Sequence, residues 1–385
     1  MDTSKLLFSL IRSELKGNEI ALEVKSCINM DSLAELYSLS AKHDLAHFLG
    51  NTLSNAGLLQ NDKASESFRK ATLMAVYRYE RSKYELGQIC EALNNAQIPF
   101  IPLKGAVIRD YYPQPWMRTS CDIDILVHED DLDKAVSYLI SNCKYVAAEK
   151  KNYHDISMHS PSGAHLELHF NIKEDIETID RVLDTVWQYA MISSEMDYKY
   201  EMTNEFLMFH VIAHLSYHFV NGGCGIRPII DLYLLEKALT IDKSILTTLL
   251  SEAKLLRFYE SVRELAAAWL EEEAFTDIVK HMEDYVLKGG VYGNLYNKVL
   301  VQQQKKNGKL AYILNRIFVP YDKLKYLYPV IIGHRWLIPF VQIYRWFNII
   351  FSGRAKRSIR ELSYNNNISE SQADEMKTFL DKIGL

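Results

Sequence analysis

The spacing of apolar residues changes period twice along this chain, and that change restricts the fold more than any other feature. From Ser4 to about Asn95 apolar positions recur every three or four residues, as in Leu33, Leu36, Tyr37 and Leu39 and along the run 64–93, which predicts helices. Between about Ile98 and Ile172 the pattern becomes short or alternating apolar runs broken by glycine and proline. These runs lie at 98–103, 123–127, 145–147, 156–159 and 165–170. They predict strands, with helices over 106–112 and 131–140. Helical spacing returns after Thr203, with breaks near Asn221-Gly222-Gly223, Gly289-Gly290 and Tyr328-Pro329. The expected class is α+β, a small mixed sheet embedded between helical regions, divided as residues 1–95, 96–202 and 203–385.

Composition narrows this further. With 385 residues, 48% of them hydrophobic, and 44 Lys plus Arg against 49 Asp plus Glu, the chain is neither disordered nor collagen-like. Five scattered cysteines without a C-x-x-C pair indicate neither a disulfide framework nor a cysteine zinc site. The N-terminus lacks a signal-peptide pattern, so the expected compartment is the cytoplasm. Charge is distributed unevenly. Residues 301–360 hold twelve Lys/Arg and one acid, Asp322, a net +11, whereas residues 1–300 sum to −13.

The strand-rich stretch carries the chemistry. Leu103-Lys104-Gly105-Ala106 ends one strand and opens a helix, where a glycine allows close backbone approach and Lys104 adds charge suited to a phosphate. A strand-to-helix turn also needs glycine for purely steric reasons. In Cys121-Asp122-Ile123-Asp124-Ile125-Leu126-Val127, period-two geometry puts Asp122 and Asp124 on one face and Ile123, Ile125 and Val127 on the other. Two such carboxylates call for a cation or a proton, unless the strand is an edge and both are solvated. His165-Leu166-Glu167-Leu168-His169 gathers His165, Glu167 and His169 on one face. If the two strands are neighbours, Glu167 joins the aspartates in a hard, oxygen-rich site suited to Mg²⁺ or Mn²⁺. Asp155 is the competing third carboxylate.

As a set, Leu103-Lys104-Gly105, Tyr112-Pro113-Gln114-Pro115-Trp116-Met117-Arg118, Asp122-Ile123-Asp124-Ile125-Leu126-Val127 and Glu167-Leu168-His169 resemble the motifs of an uncharacterised bacterial nucleotidyltransferase family of the DNA polymerase beta-like superfamily. The resemblance covers about residues 85–240 and includes His210, His214, Arg227 and Asp231 on a later helix pair. It implies metal-dependent transfer of a nucleoside monophosphate from a nucleoside triphosphate to an acceptor, with release of pyrophosphate. Asp122, Asp124 and Glu167 would be catalytic and hold the metal, and Lys104, Gly105, Ala106 and Arg118 would bind the nucleotide. His169, His210, His214, Arg227 and Asp231 would line the cleft. Ala106 stands where superfamily members commonly carry Gly or Ser, which removes a hydroxyl contact to phosphate. The acceptor stays open among a small molecule, a sugar, a peptide or protein, and RNA.

Three other features have more than one reading. His210, His214 and His218 share a helix face, and with Asp231 they could chelate zinc, border the cleft, or serve structure alone. Arg227 and Asp231 could pair with each other or hold their helix against the sheet. The basic segment 301–360 interleaves its charges with aromatics. It fits a peripheral membrane contact, RNA or another polyanion, or a packed helical domain, while polar interruptions exclude a transmembrane span. An alternative function is thus a non-catalytic polyanion- or membrane-binding module on a nucleotidyltransferase-like fold. A kinase or phosphohydrolase using the same carboxylates is a third.

Overall fold

A computed structural model describes every residue except 149–151, 292, 306–312, 315, 316, 352–359, 362 and 366. Before the sheet come α1 (Thr3–Lys16), α2 (Leu22–Ser26), α3 (Met30–Lys42), α4 (Ala46–Asn55) and the long α5 (Lys63–Asn95). Asp62 starts α5 by accepting hydrogen bonds from the N–H groups of Ala64 and Ser65. The sheet region contains β1 (Phe100–Pro102), α6 (Gly105–Ile108), β2 (Asp122–Val127), α7 (Leu132–Cys143), β3 (Val146–Ala147), β4 (Asp155–His159) and β5 (His165–His169). Then follow α8 (Glu177–Leu183), the strands β6 (Ala190–Ile192) and β7 (Tyr200–Met202), and the helices α9 (Asn204–Val220), α10 (Arg227–Ala238), α11 (Lys243–Glu252), α12 (Leu256–Leu270), α13 (Asp277–Gly289) and α14 (Leu295–Lys305). The architecture is α+β.

The main sheet runs β1-β2-β5-β4-β3, with β2 and β5 parallel and the other pairs antiparallel. Period-two alternation divides its side chains between two cores. Ile123, Ile125, Val127, Leu166 and Leu168 pack with Ile89 and Leu93 of α5 and Leu132 and Leu139 of α7. Leu126, Ile101 and Leu103 face the other way, into a core shared with α1, α3, α4 and α9–α13. Helices from both ends of the chain meet in that larger core, where Phe8 stacks on Trp269 at 4.3 Å. Buried Glu85 ties α5 to the sheet by accepting hydrogen bonds from Tyr145 Oη (2.8 Å), Ser160 Oγ (3.1 Å) and Ser162 Oγ (2.5 Å).

Two local features differ from expectation. The helix predicted over 106–112 is one α-turn, α6, followed by a 3-10 turn at Arg109–Tyr111. The β6–β7 hairpin was not anticipated, because three-residue strands with exposed Met191 and Ile192 carry too little alternation to read. Among the described residues no helix is long and apolar enough to cross a membrane.

Candidate active site

The parallel pairing of β2 with β5 sets Asp122 opposite His165 and Asp124 opposite Glu167. All four side chains therefore leave the same face, the one turned toward α9 and α10. Asp122, His165 and Glu167 each offer a donor atom, and these atoms lie within 4.8 Å of one another; Asp124, Glu167 and His169 do the same. His169 Nε2 donates to Asp124 Oδ1 at 3.0 Å and lies 3.6 Å from Glu167 Oε2. Asp155, on β4 opposite His169, is taken up by Asn152 Nδ2 and His154 and does not join the aspartates.

Electrostatics distinguish the three acids. Burial, then the neighbouring Asp124 and Glu167, push the Asp122 carboxyl above its usual range. Burial works the same way on Asp124, but Lys104 and the His169 hydrogen bond outweigh it and hold that carboxyl well below. Contact with His169 lowers Glu167. Burial alone would lower His169, yet its two carboxylate partners raise it to about 9. Without a metal, protonated His169 offsets the charge of Asp124 and Glu167; the carboxylate oxygens of Asp122, Asp124 and Glu167 suit a divalent cation, which His169 would join as a ligand only after releasing its proton.

The turn after β1 brings further cations to this face. Leu103 N–H donates to Asp124 O at 2.9 Å, which fixes the following turn beside β2. Lys104 adopts φ 40°, a left-handed conformation that a lysine enters only under constraint. Among the described residues Lys104 has no ion-pair partner, and it lines the cavity described below. Gly105 allows a close approach: a Cβ there would lie 2.9 Å from Arg118 Nη1 and 3.1 Å from Ser120 Oγ. Ala106 is turned away, its N–H donated to Leu103 O at 3.0 Å, and it does not line the cavity.

Arg118 is held rigidly. Its Nε and Nη2 donate to the two oxygens of Asp231, each at 2.9 Å, and Tyr112 Oη donates to Asp231 Oδ1 at 2.7 Å, all out of solvent. Arg118 therefore reaches the cavity through Nη1 beside Gly105, with its other nitrogens committed. Arg227 does not pair with Asp231. It donates to Asp44 Oδ2 (3.0 Å) and Thr119 O (2.8 Å), so α10 is clamped to the segment entering β2 through two separate contacts.

These groups open onto a cavity of about 760 Å³ between the sheet face and α9 and α10. It is lined by Lys104, Gly105, Arg118, Asp122, Asp124, Glu167, His169, His210, His214, Arg227 and Asp231. The α9 histidines form no zinc site, because Asp231 is committed to Arg118 and the ligand-like groups among the described residues lie on β2 and β5. His210 is buried with neither ring nitrogen hydrogen-bonded, and it faces the cavity. His214 Nδ1 lies 2.7 Å from Glu174 Oε1, and its Nε2 lies 3.0 Å from His218 Nε2. Burial raises Glu174 to about 7 and lowers both histidines, His218 to about 3. Below about pH 7 the short Glu174–His214 contact is accordingly a hydrogen bond between neutral groups rather than an ion pair.

A family described as uncharacterised nucleotidyltransferase matches residues 30–271. The chain belongs to this family. The match begins at the first residue of α3 and ends one residue beyond α12, so it takes in helices on both sides of the sheet together with every cavity residue named above, and it leaves the basic segment outside. No curated protein and no solved structure matches the chain. Family membership makes the protein a nucleotidyltransferase, a transferase that acts on a nucleotide substrate.

Sequence reasoning missed Glu174, His154 and Tyr112. Glu174 lies in a loop without periodicity, and only the fold brings it to α9. His154 stacks on His169 with ring centroids 5.4 Å apart, a contact made across β4 and β5. Tyr112 belongs to a quoted motif, yet nothing local shows that its hydroxyl reaches Asp231, 119 residues away.

Proposed function

We propose that this chain transfers a nucleoside monophosphate from a nucleoside triphosphate to an acceptor, with Asp122, Asp124 and Glu167 as the metal-binding catalytic carboxylates. The observation that supports this most is the β2–β5 register, which sets Asp124 opposite Glu167 beside Asp122 on the floor of the cavity. Residues 96–202 form the catalytic unit in this reading, with α9 and α10 as its far wall.

The acceptor oxygen bonds to the α-phosphorus, the bond from that phosphorus to the bridging oxygen breaks, and pyrophosphate leaves. Mg²⁺ or Mn²⁺ held by the three carboxylates would neutralise charge on the attacking and leaving oxygens. Lys104 reaches the same space, close enough to Asp122 and Asp124 to lower both carboxyls, and would contact the triphosphate there, while Gly105 lets phosphate approach the backbone. Arg118 Nη1, fixed by Asp231, adds a positioned donor whose orientation is set before substrate binds. Glu167, an ionised carboxylate on the cavity floor, would take the proton that an acceptor hydroxyl releases.

The test is incubation with each labelled nucleoside triphosphate, Mg²⁺ or Mn²⁺, and hydroxyl, carboxylate and RNA acceptors, followed by product analysis. A nucleoside monophosphate adduct plus pyrophosphate is expected, abolished by chelator and by Asp122→Asn or Asp124→Asn. Nucleoside diphosphate or free phosphate as the product would indicate a kinase or phosphohydrolase instead. Metal-independent behaviour that the two variants leave unchanged would refute the reading.

A further inference from the structure

The basic segment contains a helix that is oriented the wrong way for a chain surrounded only by water. In Ile338–Phe351 and the turn before it, Trp336 (68% exposed), Phe340, Ile343, Tyr344 and Phe347 all lie more than half exposed. Their spacing of four, three, one and three residues puts them on one stripe. Val330 and Ile332, just upstream, are equally exposed. Gln342, Arg345 and Trp346 of the helix are turned inward. Gln342 Nε2 donates to Val319 O (2.7 Å), Arg345 Nη2 to Ile317 O (2.7 Å) and Trp346 Nε1 to Ile317 O (3.2 Å), while Val341 packs on Leu324 and Ile331. A contiguous exposed apolar stripe of this kind marks an interaction surface.

We infer that this stripe docks on an anionic lipid bilayer, with the helix lying in the plane of the interface. Charge selects the occupant. Residues 301–360 carry +11 and residues 1–300 carry −13, so an anionic surface attracts this end of the chain and repels the rest. The stripe combines aromatic with aliphatic side chains, the composition of membrane-surface helices. An RNA strand fits less well. Arg345 is turned to protein carbonyls, Arg335 lies over the Tyr321 ring at 4.5 Å, and exposed Val330, Ile332 and Ile343 give bases no stacking plane. At 1.5 Å per residue the helix is about 21 Å long, short of the roughly 30 Å hydrocarbon core, which leaves a parallel orientation.

Flotation of the full chain with phosphatidylcholine vesicles, with or without phosphatidylglycerol, tests the inference. Binding is expected only to the anionic vesicles. Trp336→Ala/Phe340→Ala should lower the partition coefficient by about tenfold or more, since two aromatic rings leave the interface. Both positions are exposed, so circular dichroism and triphosphate binding should match the parent chain. Brominated lipid should quench fluorescence in the parent chain, and Trp336→Phe should remove that quenching. Absence of binding to anionic vesicles would overturn the inference, as would equal binding by the double variant. So would a double variant that loses instead a self-association seen by analytical ultracentrifugation, or single-stranded RNA binding. Failure of nucleotide turnover leaves this outcome untouched, because the stripe lies outside the cavity.

Discussion

Replacing Glu174 by Gln should make the protein more stable above neutral pH and leave it nearly unchanged in mild acid. Glu174 is 7% exposed, and burial raises its carboxyl from 4.5 to about 7 despite the cations around it. Below the unfolded value both states hold the proton, and the folded state loses nothing. As pH rises from 4.5 toward 7 the unfolded chain releases its proton while the folded chain keeps it, so stability falls. Above about pH 7 the full difference, about 3 kcal/mol, acts against the folded state. Glutamine imitates the protonated acid and escapes this loss. The groups facing Glu174 are Lys104, His154, His169, His214 and His218, and all are common to both chains, so the difference isolates the carboxyl. Urea unfolding of the two chains at a series of pH values measures it. The gap should grow to a few kcal/mol near about pH 8 and close near about pH 5. A Gln variant less stable throughout would show that Glu174 is the charged partner of a protonated His214, which would refute the neutral contact described above.

Asp231→Ala should cost about 3–5 kcal/mol, because it leaves the buried Arg118 guanidinium without its counter-charge, and adding Arg118→Met should recover part of that loss; thermal unfolding of both variants checks this. Gly105→Ala should cost about 1–3 kcal/mol, since the new Cβ meets Arg118 Nη1 at 2.9 Å and Asp231 prevents that side chain from yielding; denaturant midpoints report the loss and triphosphate affinity should fall with it. Mn²⁺ or Mg²⁺ should raise the melting temperature by mass action, with chelator reversing it, and Asp124→Asn should weaken the metal's apparent affinity at least about tenfold. Acid should destabilise the cavity wall. Burial lowers His210, His214 and His218, so the stability they contribute is complete above about pH 6.5 and is lost as pH falls below it, visible as a declining urea midpoint.

The strands and their facing were legible because alternation is a local property. Asp122 and Asp124 share a face for the same reason that Ile123 and Ile125 share the other, and the family resemblance rested on those residues. The partners of Arg118, Arg227 and Asp231 were not legible. Helical spacing left two readings for Arg227 and Asp231, pairing with each other or holding their helix against the sheet; the fold takes the second, with partners that spacing does not reveal, since Asp231 meets Arg118 at a separation of 113 residues and Arg227 meets Asp44 at 183. The zinc alternative for the α9 histidines failed on the same ground, since chain spacing says nothing about what Asp231 already binds. Much of the basic segment, including Lys306, Lys309, Arg316, Arg354, Lys356 and Arg357, lies outside the described residues.

By itself, then, the sequence determined an α+β class, a pair of carboxylates on one strand face, a glycine beside them and an uneven distribution of charge. Each follows from period, composition or chirality within a few residues. Only tertiary structure decided that β5 lies parallel beside β2 with Glu167 opposite Asp124, that Glu174 and His214 meet, and that the stripe from Trp336 to Phe347 faces outward. Those outcomes depend on which elements share a core. The free energy of burial that selects among such packings is summed over the whole chain, and no local window of residues contains it.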